Sequence, residues 1–129
     1  MHLPVLSTLL LGGSSMASRL YAASYDGKVT ELKLSNAPDH DSEPALTKVA
    51  ETDECGTSPS WLMLDEKHDI LYCLDEGVDT PKGGITSFEK NDDGSLTKVE
   101  RHETITGPVS SVFYSPVNAS HLQFFAVAH

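Results

Sequence analysis

The sequence of 129 residues is poor in basic side chains and in cysteine. It has 9 Lys and Arg against 19 Asp and Glu, which gives a formal net charge of -10 at pH 7, and it contains 2 Cys. An acidic balance without a Lys/Arg cluster argues against nucleic acid and anionic membranes as partners. Because no apolar run reaches the roughly 20 residues of a transmembrane helix, we expect no membrane span.

Motifs for metals, phosphates and activated nucleophiles are also missing from the sequence. Neither cysteine lies in a C-x-x-C spacing, the histidines are scattered, and no G-x-S-x-G or phosphate-binding loop occurs. We therefore expect no metal site and no cofactor. Cys55 and Cys73 have two interpretations: a disulfide formed in an oxidising compartment, or two small buried apolar residues.

Residues 1–18 have the layout of a secretory signal peptide. A short start is followed by an apolar run and then by small residues, and the segment holds no acidic or basic side chain except His2. The alternatives are a buried N-terminal strand or a disordered start. Asn118 begins an Asn-Ala-Ser triplet, the acceptor pattern for N-glycosylation. Together these features predict a secreted, extracellular protein.

A helical apolar period is absent after residue 18, and short strand-like runs take its place. Their boundaries are Gly, Asp and Asn turn signals, which is typical of an all-β fold. The predicted strands are Leu20–Tyr25, Lys28–Leu34, Leu46–Thr52, Ser60–Leu64, Ile70–Leu74, Ile85–Lys90, Leu96–Thr104, Val109–Ser115 and Leu122–Ala128.

Several of these runs repeat. Leu46–Val49 recurs fifty residues later as Leu96–Val99, and Leu20-Tyr21 recurs as Leu71-Tyr72. A period near fifty with four short strands per unit is typical of a β-propeller blade. The alternative is a β-sandwich or barrel in which the similarity arose by chance.

The repeat divides residues 19–129 into blades. With strands A to D counted outward from the propeller axis, residues 58–105 form one complete blade. Residues 19–54 supply strands B to D of the preceding blade, and residues 108–129 supply the start of the next. We therefore predict an incomplete β-propeller of about two and a quarter four-stranded antiparallel blades, and a chain that is a fragment. Trp61, on an inner strand, is expected in the core.

The order and spacing of several runs resemble the lactonase family of seven-bladed β-propellers. The runs are Cys55–Leu62, Leu71–Glu76, Gly83–Phe88, Asp93–Leu96, Gly107–Val109 and Phe125–His129. This family includes bacterial-type 6-phosphogluconolactonase and fungal carboxy-cis,cis-muconate cyclase.

The resemblance implies that the chain corresponds to the N-terminal third of the family's domain. It also implies that the A strand missing from the first blade comes from the C-terminus of the full-length protein. The catalytic His, Glu and Arg of the cyclase branch are expected beyond His129.

Candidate site residues follow from aligning the B strands. The alignment places Tyr25, Glu76 and His129 at equivalent positions on one rim of the central channel. A carboxylate and an imidazole suit acid/base chemistry on a lactone, so Glu76 and His129 are candidate catalytic residues. Tyr25, Asp75 and Thr57 are candidate ligand-binding residues. The alternative is that strand ends favour polar residues at turns.

Two functions remain open from the sequence. In the first, the parent protein is a lactonase or cycloisomerase that acts on a lactone of a sugar acid or on muconate, and the fragment itself is inactive. In the second, a non-catalytic secreted glycoprotein uses the propeller as a binding or adhesion surface. A small lactone or a carbohydrate-like molecule is the expected ligand.

Overall fold

The chain forms an all-β structure of consecutive short strands. The structure is a computed structural model, and it describes residues 18–35, 43–118 and 123–129. The strands are β1 Ser18–Ser24, β2 Lys28–Ser35, β3 Ala45–Thr52, β4 Pro59–Asp65, β5 Ile70–Asp75, β6 Gly84–Lys90, β7 Leu96–Glu103, β8 Ser110–Tyr114 and β9 Phe124–Ala128. No helix long and apolar enough to cross a membrane occurs in these three ranges.

The strands pair in chain order into three antiparallel sheets. The sheets are β1-β2-β3, β4-β5-β6-β7 and β8-β9. Within each sheet the strands therefore pair with their neighbours in sequence, as they do in a propeller blade. The arrangement of three, four and two strands confirms the predicted all-β class and the incomplete propeller of about two and a quarter blades.

The sequence repeat coincides with a repeated irregularity in the outer strand. In the first sheet Glu31 pairs with Ala50 and Leu32 with Lys48, so Val49 bulges out of the ladder. In the second sheet Ser87 pairs with Glu100 and Phe88 with Lys98, so Val99 bulges in the same way. The Leu-Thr-Lys-Val strings thus end on equivalent bulges, which add twist to the outer edge of both sheets.

The first and second sheets pack through the inward faces of β2, β5 and β6. Period-2 alternation sends Leu71 and Cys73 to one face of β5, where they meet Val29, Cys55 and Phe88. Tyr21, Leu62 and Leu96 pack around this cluster. Because Leu74, on the other face, is also buried, β5 is covered on both sides and reads as an unbroken apolar run.

The second and third sheets meet through three aromatic rings. Tyr72 of β5 lies 5.4 Å from Phe113 and 5.1 Å from Phe125, measured between ring centroids. Phe113 and Phe125 lie 5.1 Å apart in an edge-to-face arrangement. Rings at these separations are favourably placed, so the cluster joins β8 and β9 to the middle sheet.

Cys55 and Cys73 are joined by a disulfide, with their Cα atoms 6.0 Å apart. Both side chains are fully buried in the core between the first two sheets. The bond ties the segment leading into β4 to the middle of β5.

The expectation that Trp61 lies in the core is wrong, because its side chain is 40% exposed. The register of β4 against β5 shifts between Pro59 and Trp61, so Ser60 has no partner in the ladder. After this bulge Trp61 lies on the opposite face of β4 from Leu62, which packs against the core. The predicted signal peptide lies outside the described residues except for Ser18, which begins β1.

Removing the disulfide should lower the stability of the folded chain. For the double variant Cys55→Ala with Cys73→Ala, we expect the free energy of unfolding in urea to fall by about 3 kcal/mol, because a cross-link of this loop size restricts the unfolded chain. Reduced wild-type protein should match the variant. A difference below about 1 kcal/mol would show that the bond contributes little beyond packing.

Candidate functional site

The predicted site residues Tyr25, Glu76 and His129 lie at one end of the sheets. Tyr25 follows β1, Glu76 follows β5 and His129 follows β9. These three strands are the second strands of successive blades, so their ends lie along the same rim. The loops that lead into β4 and β8 lie at the same end and contact the backbone of Glu76.

Tyr25 and Glu76 are in direct contact across the first two sheets. The Tyr25 hydroxyl donates a hydrogen bond of 2.5 Å to Oε1 of Glu76. This bond raises the pKa of the Tyr25 phenol above its ordinary value, because deprotonation would place two anions side by side. In the described residues Oε2 of Glu76 has no hydrogen-bond partner and remains an open acceptor at the rim.

The backbone of Glu76 is hydrogen-bonded to both neighbouring loops, one of which lies beside His129. Its amide donates to the carbonyl of Ser58 at 3.0 Å, and its carbonyl accepts from the amide of Gly107 at 3.2 Å. Gly107 has φ +64, and a Cβ there would stand 3.4 Å from both Cδ2 and Nε2 of His129. The His129 ring therefore lies beside Gly107, whose amide binds the Glu76 carbonyl.

Asp75 is placed differently from the rim residues. Its side chain is 2% exposed, and Oδ1 accepts from the amide of Ser58 at 2.8 Å and from that of Gly77 at 3.1 Å. Oδ2 accepts from Nη2 of Arg101 at 2.7 Å. Because its hydrogen bonds are made within the protein, this carboxylate is not open to a ligand. It fixes the backbone on both sides of Glu76.

Arg101 completes the buried network under the rim. Its Nη1 donates to the carbonyl of Cys55 and to Oγ1 of Thr86, which itself donates to the same carbonyl at 3.1 Å. A Cβ at Gly84 would overlap the guanidinium, and a Cβ at Gly56 would overlap the Asp75 carboxylate. Both glycines are therefore required for the ion pair to fit.

Arg101 and Gly107 were missed in the sequence. Arg101 stands in a polar outer strand, where it looks like any solvated cation, and its partner is 26 residues away. In the sequence Gly107 stands out only as the first residue of the run Gly107–Val109, which resembles the lactonase family. Its Gly-Pro pair, which precedes β8, was the available signal for a shaped loop.

Thr57 and Thr106 lie in loops at the rim, whereas Asn118 follows β8 at the opposite end of the third sheet. Thr57 is exposed, and its hydroxyl lies 3.5 Å from that of buried Ser58. The Thr106 hydroxyl donates to the carbonyl of Pro81 at 3.0 Å, which ties the loop before β8 to the loop after β5. Asn118 lies exposed in a turn after β8, whereas the other two residues of its glycosylation triplet lie outside the described part.

Carboxylates dominate this end of the molecule. The cations that the described strands and turns place there are paired: Lys28 with Glu51 at 2.8 Å, Lys82 with Glu103 at 2.8 Å, and Arg101 with Asp75 at 2.7 Å. The remaining carboxylates in the turns at this end are Asp26, Asp53, Glu54, Glu76 and Asp79. No group of three His, Cys, Asp or Glu side chains in the described ranges is arranged to hold a metal ion.

Comparison with known protein families gives a match over most of the chain. The model of the family described as Lactonase, 7-bladed beta-propeller, matches residues 16–127. A search of curated proteins and a search of solved structures each return no significant match. The matched range contains eight of the nine strands completely and all but the last residue of β9.

Breaking the Asp75–Arg101 pair should be costly. We expect Asp75→Ala to lower the free energy of unfolding by about 3–5 kcal/mol, because it leaves a partly buried guanidinium and two amides without their acceptor. The matched control is Glu103→Ala, which breaks an exposed pair with Lys82 and should cost less than about 1 kcal/mol. Equal losses in the two variants would contradict a special role for Asp75.

The Tyr25–Glu76 hydrogen bond should be visible in a phenol titration. The difference in tyrosinate absorbance between wild type and Tyr25→Phe should report a phenol that ionises above the ordinary tyrosine pKa of 10.0. In a Glu76→Gln background the same difference should move back toward that value, because the neighbouring anion is gone. An unchanged titration midpoint would show that the two side chains are not bonded in solution.

Proposed function

We propose that the chain, which belongs to the lactonase family of seven-bladed β-propellers, supplies one sector of a lactone-binding rim. In this sector Glu76 and His129 are the acid/base pair and Tyr25 holds the carboxylate in place. The observation that carries the proposal is the 2.5 Å hydrogen bond from Tyr25 to Glu76, on the rim where His129 lies against Gly107.

The chemistry asked of these residues is hydrolysis of a cyclic ester. A base takes a proton from water as its oxygen attacks the carbonyl carbon. The ring C–O bond then breaks, and the departing oxygen takes a proton from the acid. No electrons are exchanged, so the reaction needs no redox cofactor. General acid and base catalysis of this kind contributes about 10²–10⁴ in rate.

The balance of charge indicates which part of a lactone this sector accepts. Oε1 of Glu76 is occupied by Tyr25, so its other oxygen offers an acceptor to a hydroxyl hydrogen. The unpaired carboxylates around it repel anionic groups, and the described cations at this end are already bound to carboxylates. We infer that the sector binds the uncharged, hydroxyl-bearing part of a sugar-acid lactone.

Secretion is part of the proposal. The apolar run and small residues of the N-terminal 18 residues support it, as does the glycosylation triplet at the exposed Asn118. A buried disulfide is typical of proteins that fold in an oxidising compartment.

A second candidate function is a non-catalytic secreted glycoprotein with the same rim as its binding surface. The exposed apolar side chains near the rim favour it, since Val78, Ile105 and Val109 are each about half exposed or more. Such residues could contact a carbohydrate-like ligand without any chemistry.

Turnover and binding of two lactones separate these functions. We expect a complete propeller that contains this sector to hydrolyse a neutral hexonolactone faster than its spontaneous rate, followed by pH-stat, and to bind the phosphorylated lactone at least about tenfold more weakly by calorimetry, since like charges oppose it. Glu76→Gln and His129→Ala should each lower the turnover rate about 10²-fold or more.

Glu103→Gln is the control for these variants, because it changes a rim-end carboxylate that is already paired with Lys82. Binding of the neutral lactone without turnover would favour the glycoprotein function. Absence of both binding and turnover, or tighter binding of the phosphorylated lactone, would contradict the proposed site.

A further inference from the structure

Glu31 is a carboxylate buried between the first and second sheets, away from the rim. It lies on β2 and is 1% exposed. Its Oε2 lies beneath the hairpin between β6 and β7, where a Cβ at Gly94 would overlap it. The methyl group of Val49 lies against the same position at 2.8 Å from that Cβ. A charged group is therefore enclosed where apolar packing would be expected.

Hydrogen bonds do not compensate this burial. In the described part of the chain neither oxygen of Glu31 has a hydrogen-bond partner, and the buried hydroxyl of Tyr21 has none either. Among the described residues, the cation in ion-pair contact with Glu31 is Arg19, whose Nη1 lies 3.3 Å from Oε1. Arg19 is shared, because its guanidinium also donates to the carbonyls of Asn91 at 3.4 Å and Asp92 at 2.7 Å.

Each element that packs on Glu31 places a charged or titratable side chain near it. β1 contributes Arg19 and Tyr21, and the end of β6 contributes Lys90, which is bonded to Asp69 at 2.5 Å. The β6–β7 hairpin contributes Asp93, and β3 lines the neighbouring gap with Glu51. Glu51 is itself bonded to Lys28 and Lys48.

These groups act on Glu31 in opposite directions. Burial raises the pKa of its carboxyl group above the ordinary value, and Asp93 adds to this. Arg19 and Lys90 oppose the rise without cancelling it. Such a site disfavours the charged carboxylate more than water does, whereas the neutral acid keeps its stability there and also gains a donor.

We propose that Glu31 is a proton-binding latch between the first two blades: the neutral acid fits the closed interface, and the ionised form weakens it. The Arg19 contacts to Asn91 and Asp92 hold the interface in either state. The Tyr25–Glu76 hydrogen bond crosses the same pair of sheets. Protonation of Glu31 therefore also strengthens the interface that holds the rim together.

The direction of the pH effect follows from linkage. A carboxyl group whose pKa is higher in the folded state than in the unfolded state binds its proton more tightly when folded. Its contribution to stability is therefore greatest below the unfolded pKa and declines as the pH rises through the folded pKa. A salt-bridged carboxylate behaves in the opposite way.

The test compares the thermal unfolding midpoint of Glu31→Gln with that of wild type between pH 4 and pH 8, using the full chain. Glutamine imitates the neutral acid. We expect the variant to be more stable by several degrees at neutral pH, and the difference to vanish in acid as Glu31 of the wild type becomes protonated. Subtracting the two curves removes the titration of histidines and other groups that both proteins share.

Glu51→Gln is the matched control. Its bonds to Lys28 and Lys48 lower the pKa of Glu51, so this substitution should decrease stability at neutral pH and lose its effect in acid. If Glu31→Gln follows the pattern of Glu51→Gln, then Glu31 acts as an ion-pair partner of Arg19 and the latch is excluded.

A second measurement needs no variant to fold. The side-chain carboxyl carbon of Glu31, followed by NMR in the wild type, should titrate with a midpoint above the ordinary glutamate value of 4.5. A midpoint at or below that value would overturn the proposal whatever the variants do.

Discussion

The candidate site depends on Asp75, whose carboxylate is buried beneath the rim and is not exposed on it. Asp75 accepts from the amides of Ser58 and Gly77 and from Arg101, and so fixes the backbone on both sides of Glu76. A buried carboxylate needs hydrogen-bond donors in place of water, and here three donors contact it. The network joins the loop before β4, the end of β5 and the outer strand β7 into one support for the rim.

The three sheets meet at two interfaces, and these differ in composition. The first and second sheets meet through an apolar cluster that contains the disulfide but also encloses Glu31, whereas the second and third meet through the aromatic rings of Tyr72, Phe113 and Phe125. The aromatic interface is held by ring contacts, while the proposed response to pH lies at the interface with the buried carboxylate. The rim crosses both interfaces, so its geometry depends on how each is packed.

The repeat was enough to predict much of the fold. A Leu-Thr-Lys-Val string at fifty-residue spacing, with turn signals between runs, gave the nine strands and their order, because period-2 patterning and turns are local properties. The bulges at Val49, Val99 and Ser60 were not visible, and for that reason the exposure of Trp61 was mispredicted. Bulges are set by pairing between strands, which a single run of letters does not encode.

The site was predictable in outline only. Strand alignment was sufficient to group Tyr25, Glu76 and His129, since equivalent strand ends share a rim. It gave no means of separating Asp75 from Glu76, because two adjacent acids look alike until the fold buries one and exposes the other. Arg101 identifies the buried one, and that pairing joins positions far apart in the chain.

The central claim is that the Glu76 carboxylate is the ligand-binding group of the rim. The most direct test is an NMR titration of the chain, with labelled glutamate, tyrosine and histidine side chains, by a neutral hexonolactone. The account predicts a saturable shift of the Glu76 carboxyl carbon, with smaller shifts at Tyr25 and His129 and none at Glu31. Saturable shifts that cluster elsewhere while Glu76 stays unchanged would contradict it.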